Sequence, residues 1–240
     1  HWEEANLILD AAKERIERGE VVVVDPLVLN GRPSDACKAY QMLALSRAGI
    51  DVPRTIYGSL WYLYEFMKAE TEKDGASEWR FPVIVKGSGG DRGTRVFKAD
   101  NLEELEKLVR ELRRSEISEG KRYMLQEYIP NDGDYRVLVL GEKVLGIMKR
   151  SSQNEDEFRN NYSAGGKVEV ADLSEEIKDL AVKAAKECDL WVAGVDVAFR
   201  NFDKSKQVIW EVNKGPQFKG FMAATGIDVP EEMVKFLINL

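Results

Sequence analysis

Apolar residues fall at helical spacing in some stretches of this chain and in strand-length runs in others, and the two kinds are interleaved. Leu7, Ile8, Ala11, Ala12 and Ile16 predict a helix over residues 3–18 that stops at Gly19. The apolar run at 21–24 predicts an edge-like strand. Tyr40, Leu43, Ala44 and Arg47 stay in helical register through 35–48, and Gly49 ends that run. Ser59 has the character of an N-cap for a helix over 60–73, in which Trp61, Tyr64 and Phe66 read as packing residues. Polar residues 73–78 predict a loop. Leu105, Leu108, Val109 and Leu112 form one stripe of an amphipathic helix over 102–114, with Asp100 just before it and its charges on a solvated face. Residues 121–129, 135–140 and 143–148 are strand-like, the last two joined by a tight turn at Gly141-Glu142. A helix follows over 174–188, and Pro230 opens the last one. Strands and helices in this order predict an α+β chain built as lobes rather than a doubly wound parallel sheet.

Two patterns carry candidate chemistry. Near the end, Asp196 precedes a hairpin whose return strand contains Trp210-Glu211-Val212-Asn213. Residues two apart on a strand share a face, so Glu211 and Asn213 project together. A turn symmetric about Asp203 and Lys204 would set Asp196 opposite Glu211, close enough for the side chains to meet. Two carboxylates at that range repel unless a cation sits between them, and with an amide oxygen they suit magnesium or manganese. The ordinary alternative is a pair of solvent-facing strand residues. Earlier, Phe81-Pro82-Val83-Ile84-Val85-Lys86 forms an apolar strand that runs into Gly87-Ser88-Gly89-Gly90-Asp91-Arg92-Gly93 and returns through Thr94-Arg95-Val96-Phe97. Glycines so close together let backbone amides approach a polyanion, and Lys86 adds a point charge for phosphate. This is no Walker loop, because no Gly-Lys-Ser/Thr follows and no helix opens after it. Taken alone it would be a mobile hairpin tip.

Composition narrows the function classes. With 240 residues and 44% hydrophobic content the chain can bury a sizeable core. A net charge of -7 argues against a general nucleic-acid or membrane-surface binder. Cys37 and Cys188 are isolated, each inside a predicted helix, which indicates neither a disulfide framework nor a zinc site and fits a cytoplasmic protein. The single histidine is His1, so histidine triads and histidine metal ligation drop out. No apolar run reaches membrane-spanning length and no signal peptide opens the chain.

A series of ordered blocks then resembles the ATP-grasp ligases, most closely the branch of the ribosomal-protein glutamate ligase and glutathione synthetase. The blocks are Lys38 with Gly49-Ile50-Asp51-Val52-Pro53, Lys86 and its glycine loop, Gln126-Glu127-Tyr128-Ile129, Asp134-Tyr135-Arg136, Lys149-Arg150, Phe158-Arg159-Asn160-Asn161, Gly165-Gly166, Gly194-Val195-Asp196 and Glu211-Val212-Asn213. The resemblance implies an ATP-grasp fold, two α+β lobes clasping ATP: a reduced N-terminal segment at 1–33, a lobe at 34–125 carrying the glycine-rich lid, and a lobe at 126–240 carrying the metal site. It further implies that Lys38 and Lys86 face the ATP phosphates under a lid that includes Gly87, Ser88, Gly89, Gly90 and Gly93. Gln126 to Ile129 would read the adenine between the lobes, with Glu127 and Tyr128 flanking the nucleoside and Asp134 at the ribose. Arg159 and Asn161 would lie near the transferred phosphate, with Arg159 and Lys86 catalytic, and Asp196, Glu211 and Asn213 would hold Mg²⁺ or Mn²⁺.

The activity implied is ATP-dependent ligation of a carboxylate to an amine through an acylphosphate, on an amino-acid, peptide or other small-molecule substrate. A small-molecule kinase on the same fold and a non-catalytic nucleotide-responsive module are the alternatives. Two departures from the family pattern bear on partners. Only a helix and a strand are expected before Lys38, where the branch usually carries another α/β domain, which leaves a homo-oligomer or a separate N-terminal partner domain open as partners. Lys214-Gly215-Pro216 also replaces the family's usual small residue and Ser-Pro-Gly. Lys149, Arg150, Arg159 and Lys214 would make either a wall that binds an acidic substrate or a solvated basic patch.

Overall fold

The protein is described by a computed structural model covering residues 2–30, 38–73, 75–88, 95–120, 122–131, 133–151 and 167–240. The residues between them, which include Cys37, Gly89, Gly90, Gly93, Arg159 and Asn161, lie outside the described residues.

In chain order the elements are α1 (Trp2–Glu17), α2 (Leu27–Asn30), α3 (Lys38–Arg47), β1 (Thr55–Gly58), α4 (Leu60–Thr71), β2 (Val83–Gly87), β3 (Val96–Ala99), α5 (Leu102–Glu119), β4 (Tyr123–Glu127), β5 (Asp134–Leu140), β6 (Lys143–Ser151), β7 (Lys167–Val170), α6 (Glu175–Glu187), β8 (Val192–Phe199), β9 (Gln207–Lys214), α7 (Lys219–Thr225) and α8 (Val229–Ile238). The strands form two antiparallel sheets, one in the order β1-β4-β2-β3 and one in the order β7-β6-β5-β8-β9.

The smaller sheet buries one face under α4 and α5, where Leu60, Leu63, Met67, Val83, Val85, Leu105 and Val109 form a core. Ser59 caps α4 as its sequence predicts, accepting a hydrogen bond from the Tyr62 amide. Asn101 caps α5 by accepting from the Glu104 amide, and α5 runs past residue 114 to Glu119 before Gly120 stops it in the left-handed region. Those extra turns carry a tertiary contact: the buried Glu116 carboxylate accepts the free amide of Leu60 at 2.9 Å, so the end of one helix caps the start of the other.

The larger sheet is covered on both faces. On one side Val137, Val139, Val195, Val197, Ile209 and Val212 meet α6 and α3 in a core that includes Leu45, Ala181 and Ala185. On the other, Leu138 and Met148 lie under Phe221 of α7 and Val229 of α8. That second cover reaches only part of the face. The polar remainder, beside the smaller sheet, is the site described below.

Four short elements escaped the sequence pattern, namely α2, β1, β7 and α7, all of them too short to show a period. In the other direction, residues 21–24 form no strand. The β-branched run has no ladder to join, and the chain instead turns at Asp25 (φ 65), whose carboxylate accepts the amides of Trp191 and Val192 at the start of β8. Helix α1 forms as predicted, but its Leu7 and Ile8 are exposed.

Chain path matters most for the site. Helix α3 packs with the larger sheet; its Gln41 amide donates to the Val212 carbonyl on the outer edge of β9, where the Ile209 amide also finds the Asp51 carbonyl. From α3 the chain crosses at Asp51–Arg54 to build the whole smaller sheet, then crosses back after Glu127 to build the rest of the larger one. Among the described residues these two crossings are the only covalent links between the sheets.

Candidate active site

The last hairpin brings Asp196 opposite Glu211, and Asn213 opposite Gly194. The turn that does so is not symmetric about Asp203 and Lys204. A tight 3-10 turn over Arg200–Phe202 pairs Phe199 with Gln207 and Val197 with Ile209, and a bulge at Trp210 then moves the register by one residue. The bulge leaves Trp210 and Glu211 on the same face. Trp210 packs against Ile129, Ala198 and Val208, while Glu211 and Asn213 continue along that face beside Asp196.

Around these oxygens stands a ring of cations. Arg136, across from Asp196 in β5, forks its carboxylate with Nε and Nη2 both at 2.8 Å. Gly194 makes room for that fork, since a Cβ there would fall 2.9 Å from Pro216 and 3.4 Å from the Arg136 side chain. Arg150 reaches the same carboxylate at 2.9 Å and also forks Asp134, with Nε at 2.9 Å and Nη2 on the second oxygen. Lys38, the first residue of α3, donates to Glu211 at 2.8 Å, and the Asn213 amide nitrogen lies 3.1 Å from Asp196. Asp134, Arg150 and Asp196 are only 4%, 5% and 5% exposed, so none of these charges can be written off to solvent.

Electrostatics follow from the packing. Burial opposes ionisation of Asp196, but Arg136 and Arg150 outweigh it and hold the carboxyl at about 2. At Asp134 burial wins over the pull of Arg150 and the carboxyl is raised. Lys86, on β2, is pulled down from its usual value to about 8, first by burial; Glu211, Asp196 and Asp134 act against that and Lys38 with it. Lys86 therefore feels the charges of the same cluster. Lys38 reaches it from α3, which packs on the larger sheet, and Lys86 from β2 of the smaller sheet, and the Lys38 amide lies 3.4 Å from the Ser88 carbonyl just beyond Gly87.

Among the described residues no three carboxylate, histidine or cysteine side chains cluster as metal ligands, and on the face of Asp196 and Glu211 the further side-chain oxygen of the return strand is that of Asn213. Two carboxylates and an amide on one face are the hard-oxygen set that magnesium takes, and the residues fit it. A metal here would share Asp196 with Arg136 or displace it.

Other predicted residues sit differently. Gln126 is buried in β4 and spends its side-chain amide on the Thr55 hydroxyl. Glu127 holds Arg54 and Arg200, Tyr128 carries the Lys98 ammonium 5.1 Å above its ring, and Ile129 already packs on the larger sheet. Asp134 is committed to Arg150. The basic wall does not assemble on one face: strand alternation puts Arg150 with Asp134 and Asp196, whereas Lys149 lies 5.7 Å from the ring of Tyr135 on the opposite face, and Lys214, adjacent to Asn213, is turned the same way as Lys149. Arg136 was legible in principle, because it is two residues beyond Asp134 on one strand. Nothing in the sequence pointed to Gln41, Arg54 or Arg200.

The family profile described as RimK-like ATP-grasp domain matches residues 33–237. The chain belongs to the RimK-like ATP-grasp family. A probable alpha-L-glutamate ligase of Syntrophotalea carbinolica is 32% identical over 231 residues, which is 95% of this chain and 70% of that protein. Across such curated relatives the chain spans from 50% to 70% of their length. Among solved structures, the ATP-grasp ligase PsnB complexed with a phosphomimetic variant of its minimal precursor, Mg and ADP superposes with a TM-score of 0.69 at 22% identity, covering 97% of this chain and 66% of that one. The D-alanine–D-alanine ligase of Bacillus anthracis gives a TM-score of 0.61 at 18% identity, over 85% and 66%. These two fix the fold of this RimK-like chain as ATP-grasp, with two antiparallel sheets and α+β architecture. Among the described residues no helix is long and apolar enough to cross a membrane.

Proposed function

We propose that this chain is an ATP-dependent carboxylate–amine ligase, and that it joins a glutamate-type amino acid to a peptide or small-molecule acceptor in the cytoplasm. The observation that carries the reading is the convergence of Lys38, from α3, and Lys86, from the smaller sheet, on the face that presents Asp196, Glu211 and Asn213. Glutamate is supported by the curated relatives, named as probable alpha-L-glutamate ligases, and a peptide acceptor by the structural neighbours PsnB and the macrocyclase MdnC, both bound to precursor peptides.

In this reading a substrate carboxylate takes the γ-phosphoryl group of ATP to give an acylphosphate, and the acceptor amine then displaces phosphate to form the amide. Lys38 and Lys86 hold the phosphates, Gly87, Ser88, Gly89, Gly90 and Gly93 serve as the phosphate-binding glycine segment, and the segment from Gln126 to Ile129 takes the adenine as it passes between the sheets. Arg159 and Asn161 serve the transferred phosphate. Asp196, Glu211 and Asn213 would hold magnesium, or manganese in its place, which when bound neutralises charge building on the phosphoryl oxygens. The protein contributes placement and fixed charge rather than acid–base chemistry, as a chain whose single histidine is His1 requires. Incubation with MgATP, glutamate and a panel of amines and peptides, following phosphate release and product mass together, tests this. An amide product of the expected mass supports it; phosphorylated substrate without amide, or no ATP consumption with any pair, refutes it.

A further inference from the structure

Each of the two crossings between the sheets is short, and one arginine grips both. Arg200 follows β8 of the larger sheet. Its Nε and Nη2 donate to the Asp51 carboxylate at 2.7 and 2.9 Å, Nη2 also reaches the Val52 carbonyl at 3.1 Å, and Nη1 donates to Glu127 at 2.7 Å. Asp51 and Val52 belong to the first crossing, and Glu127 begins the second. Glu127 is itself stitched to the first crossing, since it accepts from the Arg54 amide and from Arg54 Nη2 while its own amide donates to the Arg54 carbonyl. Arg200 and Glu127 are mostly shielded, at 23% and 14% side-chain exposure, while Asp51 is half exposed.

The positions of these groups are over-determined in a way that surface ion pairs are not. Arg200 stands just before Asn201 and Phe202, both at positive φ (51 and 64), in a turn whose mouth is closed by the Arg200 amide on the Lys206 carbonyl. That turn aims the guanidinium at the seam instead of along the strand. The guanidinium meets Asp51, Val52 and Glu127 at once because its N–H donors sit on three nitrogens in a fixed planar fork; a lysine carries its three N–H donors on a single nitrogen and cannot span the same spread.

We propose that Arg200 is a positioning residue that sets the angle between the two sheets, and through it the fit of the seam to nucleotide. This rests on the reading above that ATP lies between the sheets. Because Lys38 and Lys86 come from opposite sides, a small rotation about the crossings separates them from a common phosphate without disturbing either core.

The test is calorimetric titration of MgADP into the wild-type chain, Arg200→Gln, Arg200→Lys, Asp51→Asn and the Arg200→Gln/Asp51→Asn double variant, with small-angle X-ray scattering of each protein alone. Arg200→Gln should weaken MgADP about tenfold and enlarge the radius of gyration, because a bidentate charge-assisted contact is lost. Asp51→Asn, on the half-exposed side, should weaken it less, and the double variant should be no worse than Arg200→Gln, since both changes remove one interaction. Arg200→Lys should recover only part of the affinity. If MgADP affinity and scattering are unchanged in Arg200→Gln and Asp51→Asn, even with a lowered melting temperature, Arg200 is only a structural ion pair and the proposal is wrong. A wild-type chain that takes no MgADP refutes the ATP reading and the nucleotide half with it; unchanged scattering separately refutes the angle.

Discussion

Asp134 is expected from family resemblance to face the ribose, yet the fold gives it another occupation. It is 4% exposed, both of its oxygens are taken by Arg150, and Arg150 is itself held by Asp196. Asp134→Asn keeps the shape but removes one of the two negative charges that balance a buried guanidinium. Breaking a buried ion pair costs about 3–5 kcal/mol when the surviving charge is left alone. Here Arg150 retains Asp196 at 2.9 Å, so the loss falls to about 2–3 kcal/mol by the same principle. At about 2–4 °C per kcal/mol for a chain of this size, the melting temperature should drop by about 4–12 °C. Scanning calorimetry measures that drop, and titration of MgADP into the folded variant measures the rest. If Asp134 works as the counter-ion of Arg150, MgADP affinity should change by no more than about threefold, below 1 kcal/mol. A variant that melts with the wild type but binds MgADP ten times more weakly would refute the argument and return Asp134 to the ribose.

Glu211→Gln should abolish ligase turnover yet leave the fold, because the amide oxygen can still accept from Lys38 while the charge that would hold the metal is gone; wild-type turnover in this variant would remove Glu211 from the metal set. Lys86 gives two pH slopes of opposite sign. Its folded pKa of about 8 lies below the usual 10.5, so the folded state sheds this proton first: MgADP affinity should fall as pH rises through about 8, while stability should gain from Lys86 between about 8 and 10.5. Lys86→Met should flatten both slopes, and an affinity flat from pH 7 to 9.5 in the wild type would contradict the assignment. The Cys188 thiol, pushed up to about 12 by burial first and by Asp189 and Glu187 next, should resist alkylation in the native protein at pH 8 and react on unfolding, read by mass mapping of its peptide.

The long elements were legible because their side chains obey one period: α4, α5 and α6 each bury a stripe, and β5 alternates between a core of Tyr135, Val137 and Val139 and a site face of Asp134 and Arg136. The pairing of Asp196 with Glu211 was legible by the same rule, although the route to it was not. A symmetric turn and a tighter turn followed by a bulge at Trp210 give the same opposition, and nothing in the local sequence distinguishes them. What stayed hidden is what depends on packing between distant segments. Residues 21–24 have strand composition but no ladder to join, while Thr55–Gly58 has only four residues and still becomes β1 because the edge of β4 is there to receive it. Lys149 and Arg150 look like a basic pair in the sequence and face opposite ways in the sheet.

The charges that do share the site face explain why its two halves need each other. Asp134, Asp196 and Glu211 contribute three negative groups, and Lys38, Lys86, Arg136 and Arg150 four positive ones. A divalent cation alone would raise that excess from one to three in a partly buried volume, at a cost that grows as the surroundings exclude water. A nucleotide polyphosphate brings more negative charge than the metal brings positive, so the pair together lowers the excess instead of raising it. Lys38 and Lys86 are the two members of the set that come from outside the larger sheet, one from α3 at its edge and one from β2 across the seam. Their position makes the balance depend on how the two sheets are held, and the contacts that hold them are those of Asp51, Arg54, Glu127 and Arg200 at the crossings.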